Sequence, residues 1–208
     1  MSRIAVLVSG FGSNLQAIID AVEKGHLPGV EIALVVSNRR KAFGITRGLR
    51  HGIPVVVFPL APYTRGGRPR EEYDADLAAI IESFDVSWVV MAGWMHVFSD
   101  AFLEYFPSRV INLHPALPGA FPGTHAIERA YEAFQRGEIE RTGVMVHLVP
   151  DEGVDTGPVV ARELVPLRPE ESVEELEDRM HRVEHRLLVD AIHQLLCEEK
   201  LPATPAES

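Results

Sequence analysis

Asn112-Leu113-His114-Pro115 sets an amide and an imidazole two residues apart, just before a proline. Side chains alternate along a strand, so Asn112 and His114 share a face, and Pro115 stops the strand beside them. Open α/β sheets bind their ligands at that end of a strand. A neutral amide there suits a developing oxyanion, and an imidazole suits proton transfer near neutral pH. The same two residues would also serve as plain polar caps. A second segment, Asp151-Glu152-Gly153-Val154-Asp155-Thr156-Gly157-Pro158, is an acidic turn. It is no calcium loop of the EF-hand kind, because the ligand spacing fails and no glutamate closes the loop. It fits either a solvated hairpin turn or a carboxylate brought beside His114, whose pKa it would raise.

Gly10-Phe11-Gly12-Ser13-Asn14-Leu15 lies between an apolar run and a helical pattern. Backbone amides and the helix dipole at such a turn favour an anion. Ser13 and Asn14 add polar donors, which suits a terminal phosphate. A dinucleotide fingerprint is incomplete, since Leu15 replaces its third glycine and no acidic residue closes the second strand. Arg39 and Arg40 could still hold a 2′-phosphate there. A ligand-free glycine turn, a phosphate site and an NADP site all fit these residues.

The periodicity predicts the elements that must hold them. Ile4 to Val8 is a continuous apolar run, expected as a strand covered on both faces. Asn14 to Lys24 carries Leu15, Ile18, Ile19 and Val22 at helical spacing. Strands are expected at 31–37, 55–57, 86–92 and 110–114, and helices at 42–51, 74–83 and 126–136. Strands at 144–149 and 159–165 flank the acidic turn as an antiparallel pair. A long helix follows from Glu171 to Glu199, opened by Ser172 and Glu175 as a capping box. The alternation gives an α/β fold: one Rossmann-like, doubly wound, mostly parallel sheet, with the antiparallel pair near the C-terminal end. One domain is expected over 1–200, with a disordered tail at 201–208.

Val8-Ser9-Gly10-Phe11-Gly12-Ser13-Asn14-Leu15-Gln16-Ala17-Ile18 resembles the opening of the formyltransferase family, its glycinamide ribonucleotide transformylases in particular. Asn112 to Pro115, the Pro/Gly loop after it, Gly143-Val-Met-Val-His147 and Gly153 to Pro158 follow in the family's order. The resemblance runs from about Arg3 to Leu196. It implies transfer of the formyl group of 10-formyltetrahydrofolate to the amine of 5-phosphoribosylglycinamide, in purine biosynthesis, with no metal. By position, Asn112, His114 and Asp155 match the catalytic residues. Gly12, Ser13 and Asn14 match the segment holding the substrate phosphate, and His181 and Glu184 the part meeting the ribose. Arg70, Met95, His96, Val97, Phe98, Asp151, Glu152, Gly153 and Val154 match the folate contacts, joined by Asn112 and Asp155. His96 stands where some relatives carry Arg.

The bulk properties are compatible with this. The chain has 208 residues, enough for one domain with a real core, with 46% apolar and 24% charged residues. A net charge of −10 argues against a nucleic-acid partner, which needs a basic face. Cys197 is the only cysteine, excluding an intrachain disulfide, and its apolar neighbours predict a small buried hydrophobe. No apolar run approaches the roughly 18 residues of a membrane span, and Ile4 to Val8 is too short for a signal peptide, so the cytoplasm is expected. Monomer and homodimer both fit. Among relatives, formyltetrahydrofolate deformylase would carry a further N-terminal domain, and methionyl-tRNA formyltransferase a C-terminal domain with a basic face. An NADP-binding protein would leave Asn112, His114 and Asp155 unexplained together.

Overall fold

The computed structural model describes residues 1–197. The chain runs β1 (Ser2–Val8), α1 (Ser13–Glu23), β2 (Val30–Ser37), α2 (Phe43–Arg50), β3 (Val55–Val57), α3 (Ala61–Arg65), α4 (Arg70–Glu82) and β4 (Trp88–Met91). It continues with α5 (Asp100–Leu103), β5 (Val110–His114), α6 (Ala126–Gln135), β6 (Arg141–Leu148), β7 (Val159–Pro166) and α7 (Val173–Leu196). The expected tail and the last residues of the expected long helix lie outside the described residues.

A seven-stranded sheet has the order β3-β2-β1-β4-β5-β6-β7. β1 to β5 pair in parallel, while β6 is antiparallel to both β5 and β7. The apolar runs have both faces covered, as parallel sheets require. Ile4, Val6 and Val8 face a core with Leu15, Ile18 and Ile19 of α1 and Met180, Leu187 and Leu188 of α7. Ala5 and Leu7 face the opposite core, with Tyr73, Leu77 and Ile81 of α4 and Phe102 of α5. Helices on both faces and strand order reversing at β1 make this a doubly wound sheet. Its crevice opens beyond the C-terminal ends of β1 and β4, the switch point where such sheets bind ligands.

The differences from expectation have local causes. α4 begins at Arg70, a turn before the expected Asp74; Arg70-Glu71-Glu72 carries no apolar period to signal that turn. Its two acids instead complement the positive end of the helix dipole. α3 and α5 have five and four residues, too few for a periodic signal. The capping box of α7 forms as expected, with Glu175 N donating to Ser172 Oγ at 3.2 Å and Ser172 N to Glu175 Oε2 at 2.9 Å. Cys197 is half-buried, not buried, because it follows Leu196 where the apolar face of α7 runs out; its Sγ donates to Pro28 O at 3.4 Å. Among the described residues no helix is long and apolar enough to cross a membrane.

Candidate active site

β5 ends the parallel part of the sheet, and the β6–β7 hairpin folds back beside it. Asn112 pairs with Met91 of β4 and, antiparallel, with His147 of β6. The acidic turn between β6 and β7 then returns Asp155 to the end of β5. Gly157 permits this return, since a Cβ there would lie 1.8 Å from Leu148 O. Asp155 itself sits at φ 55°, the left-handed region that Asp tolerates better than most residues.

Asp155 bridges the two strand-end residues. Asn112 Nδ2 donates to Asp155 Oδ1 at 3.1 Å, and His114 Nδ1 lies 3.3 Å from Asp155 Oδ2. The carboxylate fixes the amide's orientation, because the reverse orientation would set oxygen against oxygen. His114 is 4% exposed, and burial holds its pKa below the ordinary histidine value despite the Asp155 charge and the Phe121 carbonyl, which raise it. Asp155 acts in the expected direction, and desolvation outweighs it. Burial also opposes the Asp155 charge, but contacts from His147, the Gly123 N–H and His114 overcome it and lower the carboxyl pKa.

The loop after Pro115 closes over these groups. His114 Nε2 lies 3.1 Å from Phe121 O, and Gly123 N donates to Asp155 Oδ2 at 2.8 Å. Arg129 of α6 donates to the carbonyls of Phe121 and Pro122 at 2.7 Å each.

At β1, Gly12 takes φ 74° as N-cap of α1, and no side chain caps that helix start. The first amides of Ser13 and Asn14 are therefore presented to an anion. Asn14 Nδ2 donates to Glu184 Oε2 of α7 at 2.9 Å, so these two expected nucleotide residues meet. His181 is exposed one turn earlier, and its ring is 6.5 Å from that of His185. β4 separates β1 from β5, so the two ends lie about 10 Å apart at ordinary strand spacing.

The expected folate residues divide. Arg70 donates to Asp74 Oδ1 at 2.9 Å and to Val97 O, which ties α4 to the loop after β4. Met95 and Val97 are 52% and 45% exposed, an apolar rim facing outward. His96 is half-buried, edge-on to Trp94 and Tyr73, with Nε2 3.1 Å from Asn38 Nδ2. Burial lowers its pKa, helped by Arg70. Phe98 is different: at 1% exposure it stacks between Trp94 and Phe102 in the core, so only its backbone can meet a ligand. In the acidic turn Asp151 Oδ1 accepts from Gly153 N at 2.8 Å, Glu152 Oε1 accepts from Asp100 N at 3.0 Å, and Val154 is exposed.

The family model described as formyl transferase matches residues 2–192. The chain belongs to the formyl transferase family. It is 48% identical over 208 residues to phosphoribosylglycinamide formyltransferase of Schizosaccharomyces pombe, covering 96% of this chain and 100% of that protein. The protein of the same name from Dictyostelium discoideum is 42% identical over 202 residues, covering 93% and 97%. Among solved structures, phosphoribosylglycinamide formyltransferase from Bacillus halodurans superposes with a TM-score of 0.88 at 36% identity, covering 96% of this chain and 97% of that one.

One side chain of this formyl transferase was not among the expected site residues. His147 Nδ1 lies 2.8 Å from Leu148 O, and its Nε2 lies 3.1 Å from Asn112 Nδ2 and 3.5 Å from Asp155 Oδ1. His147 thus closes a cluster with Asn112 and Asp155. The signal available was Gly143-Val-Met-Val-His147, read only as a family motif; the strand register that sets His147 against Asn112 is not visible in it.

Proposed function

We propose that this formyl transferase moves the formyl group of 10-formyltetrahydrofolate to the amine of 5-phosphoribosylglycinamide, in cytoplasmic purine biosynthesis. One domain over 1–200 carries the activity, without nucleic acid. The observation that carries the reading is Asp155 bridging Asn112 and His114 at the end of β5, two strands from an uncapped helix start. The separation suits a ribose phosphate seated by its phosphate at Gly12, Ser13 and Asn14, with its amine at β5. Glu184 and His181 stand along the ribose between them. The exposed Met95 and Val97, the turn at 151–154 and the Arg70 guanidinium suit a flat heterocycle on an acidic tail.

In this mechanism the amine lone pair attacks the formyl carbon and the carbonyl electron pair moves onto oxygen. The oxyanion accepts from the Asn112 Nδ2 hydrogen that does not bind Asp155 and from His114 Nε2, in the place Phe121 O holds. His114 is depressed towards neutrality at rest; the new negative charge beside it and Asp155 behind it stabilise the imidazolium. The attacking nitrogen then loses a proton, the folate nitrogen gains one, and an oxyanion electron pair re-forms the carbonyl as the carbon–nitrogen bond to folate breaks with its pair on that nitrogen. Protonation spares the folate nitrogen from leaving as an anion.

Incubation with 10-formyltetrahydrofolate and 5-phosphoribosylglycinamide should yield tetrahydrofolate and the formylated nucleotide in equal amounts, with no turnover when the amine is omitted. Formate release without the amine would replace transfer by hydrolysis.

A further inference from the structure

Arg47 lies on α2, almost one turn beyond Gly44. A Cβ on Gly12 would lie 2.8 Å from Gly44 Cα, and one on Gly44 would lie 2.8 Å from Val8 Cγ2. Only glycine at both positions lets α2 press onto the turn after β1. That approach puts Arg47 Cδ 3.5 Å from the same Gly12 position.

The guanidinium is held on several sides. Nε donates to Phe11 O at 3.0 Å and Nη1 to Gln16 Oε1 at 3.0 Å. The rings of Phe11 and Phe43 stack 5.2 Å apart and lie 4.6 and 5.0 Å from the guanidinium carbon. Phe11 is 66% exposed, so this pair fills no core; its physical effect is to fix the cation. Arg3, Arg68, Arg70, Arg136, Arg179 and Arg186 each pair with a carboxylate. Arg47 pairs with none among the described residues, and its Nη2 has no hydrogen-bond partner there. It lines, with Ser13 and His185, a cavity of about 610 Å³ between α1 and α7.

We infer that Arg47 is the side-chain clamp of the phosphate site, donating from Nη2 to a phosphate monoester seated on the amides of Ser13 and Asn14. This rests on the reading of the α1 start as the phosphate end of the substrate. A helix start favours anions in general; the fixed guanidinium fork adds the geometry that selects phosphate.

The test is steady-state kinetics of Arg47→Gln and Arg47→Lys with 5-phosphoribosylglycinamide and with its dephosphorylated riboside. Calorimetry with ribose 5-phosphate and ribose accompanies it. Arg47→Gln should raise KM for the phosphorylated amine about ten- to a hundredfold, as loss of a charge-assisted hydrogen bond does. The loss should fall on KM more than on kcat and vanish with the riboside, and Arg47→Lys should recover part of it. Equal effects on both substrates would make Arg47 a packing residue and overturn the inference. An unchanged KM in Arg47→Gln, with the parent still preferring ribose 5-phosphate over ribose, would also overturn it and leave the phosphate reading standing. A parent that binds both sugars equally would overturn the phosphate reading itself.

Discussion

Asn14 and Glu184, 170 positions apart, are joined by a buried hydrogen bond of 2.9 Å from Asn14 Nδ2 to Glu184 Oε2. The bond locks the start of α1 to the middle of α7, so the proposed phosphate and ribose contacts are held as one unit. Asn14 Oδ1 is buried and has no partner among the described residues. A buried acceptor left open beside a carboxylate is suited to a hydroxyl donor, which a ribose supplies.

Glu184→Gln keeps the shape and removes the charge. KM for the nucleotide should rise about tenfold, the scale of one charge-assisted hydrogen bond, with KM for the folate little changed. Initial rates against each substrate check this; an unchanged nucleotide KM would remove Glu184 from the ribose site.

Asp74 is fully buried and accepts from Arg70 Nε at 2.9 Å, Ser99 N at 2.9 Å and Ser99 Oγ at 2.8 Å. It joins α4 to the start of α5 and aims Arg70 at the loop after β4. Asp74→Ala leaves the Ser99 donors unpaired and the half-buried Arg70 guanidinium without its carboxylate, and should cost about 3 kcal/mol of stability. Urea unfolding checks the loss, and folate binding should weaken as well, because Arg70 loses its anchor.

Asn112 and His114 were legible as a pair because Pro115 ends their strand and alternation puts them on one face. The sheet, the antiparallel pair and the capping box of α7 were legible for the same reason: each rests on a local period or a short motif. Asp155 reaches the pair from 43 positions away; the acidic turn offered a carboxylate for His114, and the family motif singled out Asp155 within it. His147 depends on antiparallel register, which no local pattern specifies. Phe98 stands among the folate positions through the family resemblance alone. Yet Trp94, Phe98, Phe102 and Phe106 form a continuous aromatic stack in the core. Their spacing of four was the available sign of that. Desolvation of His114 depends on how completely the loop at 116–123 covers it, which composition does not reveal.

Burial lowers the pKa of His96, His114 and His185 below the ordinary histidine value in the folded chain, and nearby arginines add to it at each. Unfolded, each titrates near about 6.5. Below that value the unfolded chain binds more protons, so stability is complete above about pH 6.5 and falls as pH drops towards the folded values. Thermal melts should give a lower Tm at pH 5.5 than at pH 7.5. His185→Gln should reduce that difference by removing one of the three proton sites, and a pH-independent Tm would contradict the assignment.

The central claim is that Asp155 sustains the imidazolium of His114 during transfer, and turnover of Asp155→Asn across pH tests it most directly. Asparagine keeps the shape and removes the main influence that raises the His114 pKa, so that pKa should fall further. Turnover should drop by about 10²–10⁴, the range for proton-transfer catalysis, and its decline with rising pH should begin earlier than in the parent. Nucleotide affinity, held at the distant α1 start, should persist and show that the variant is folded. Full turnover with an unshifted pH profile would make Asp155 a turn residue alone and contradict the mechanism.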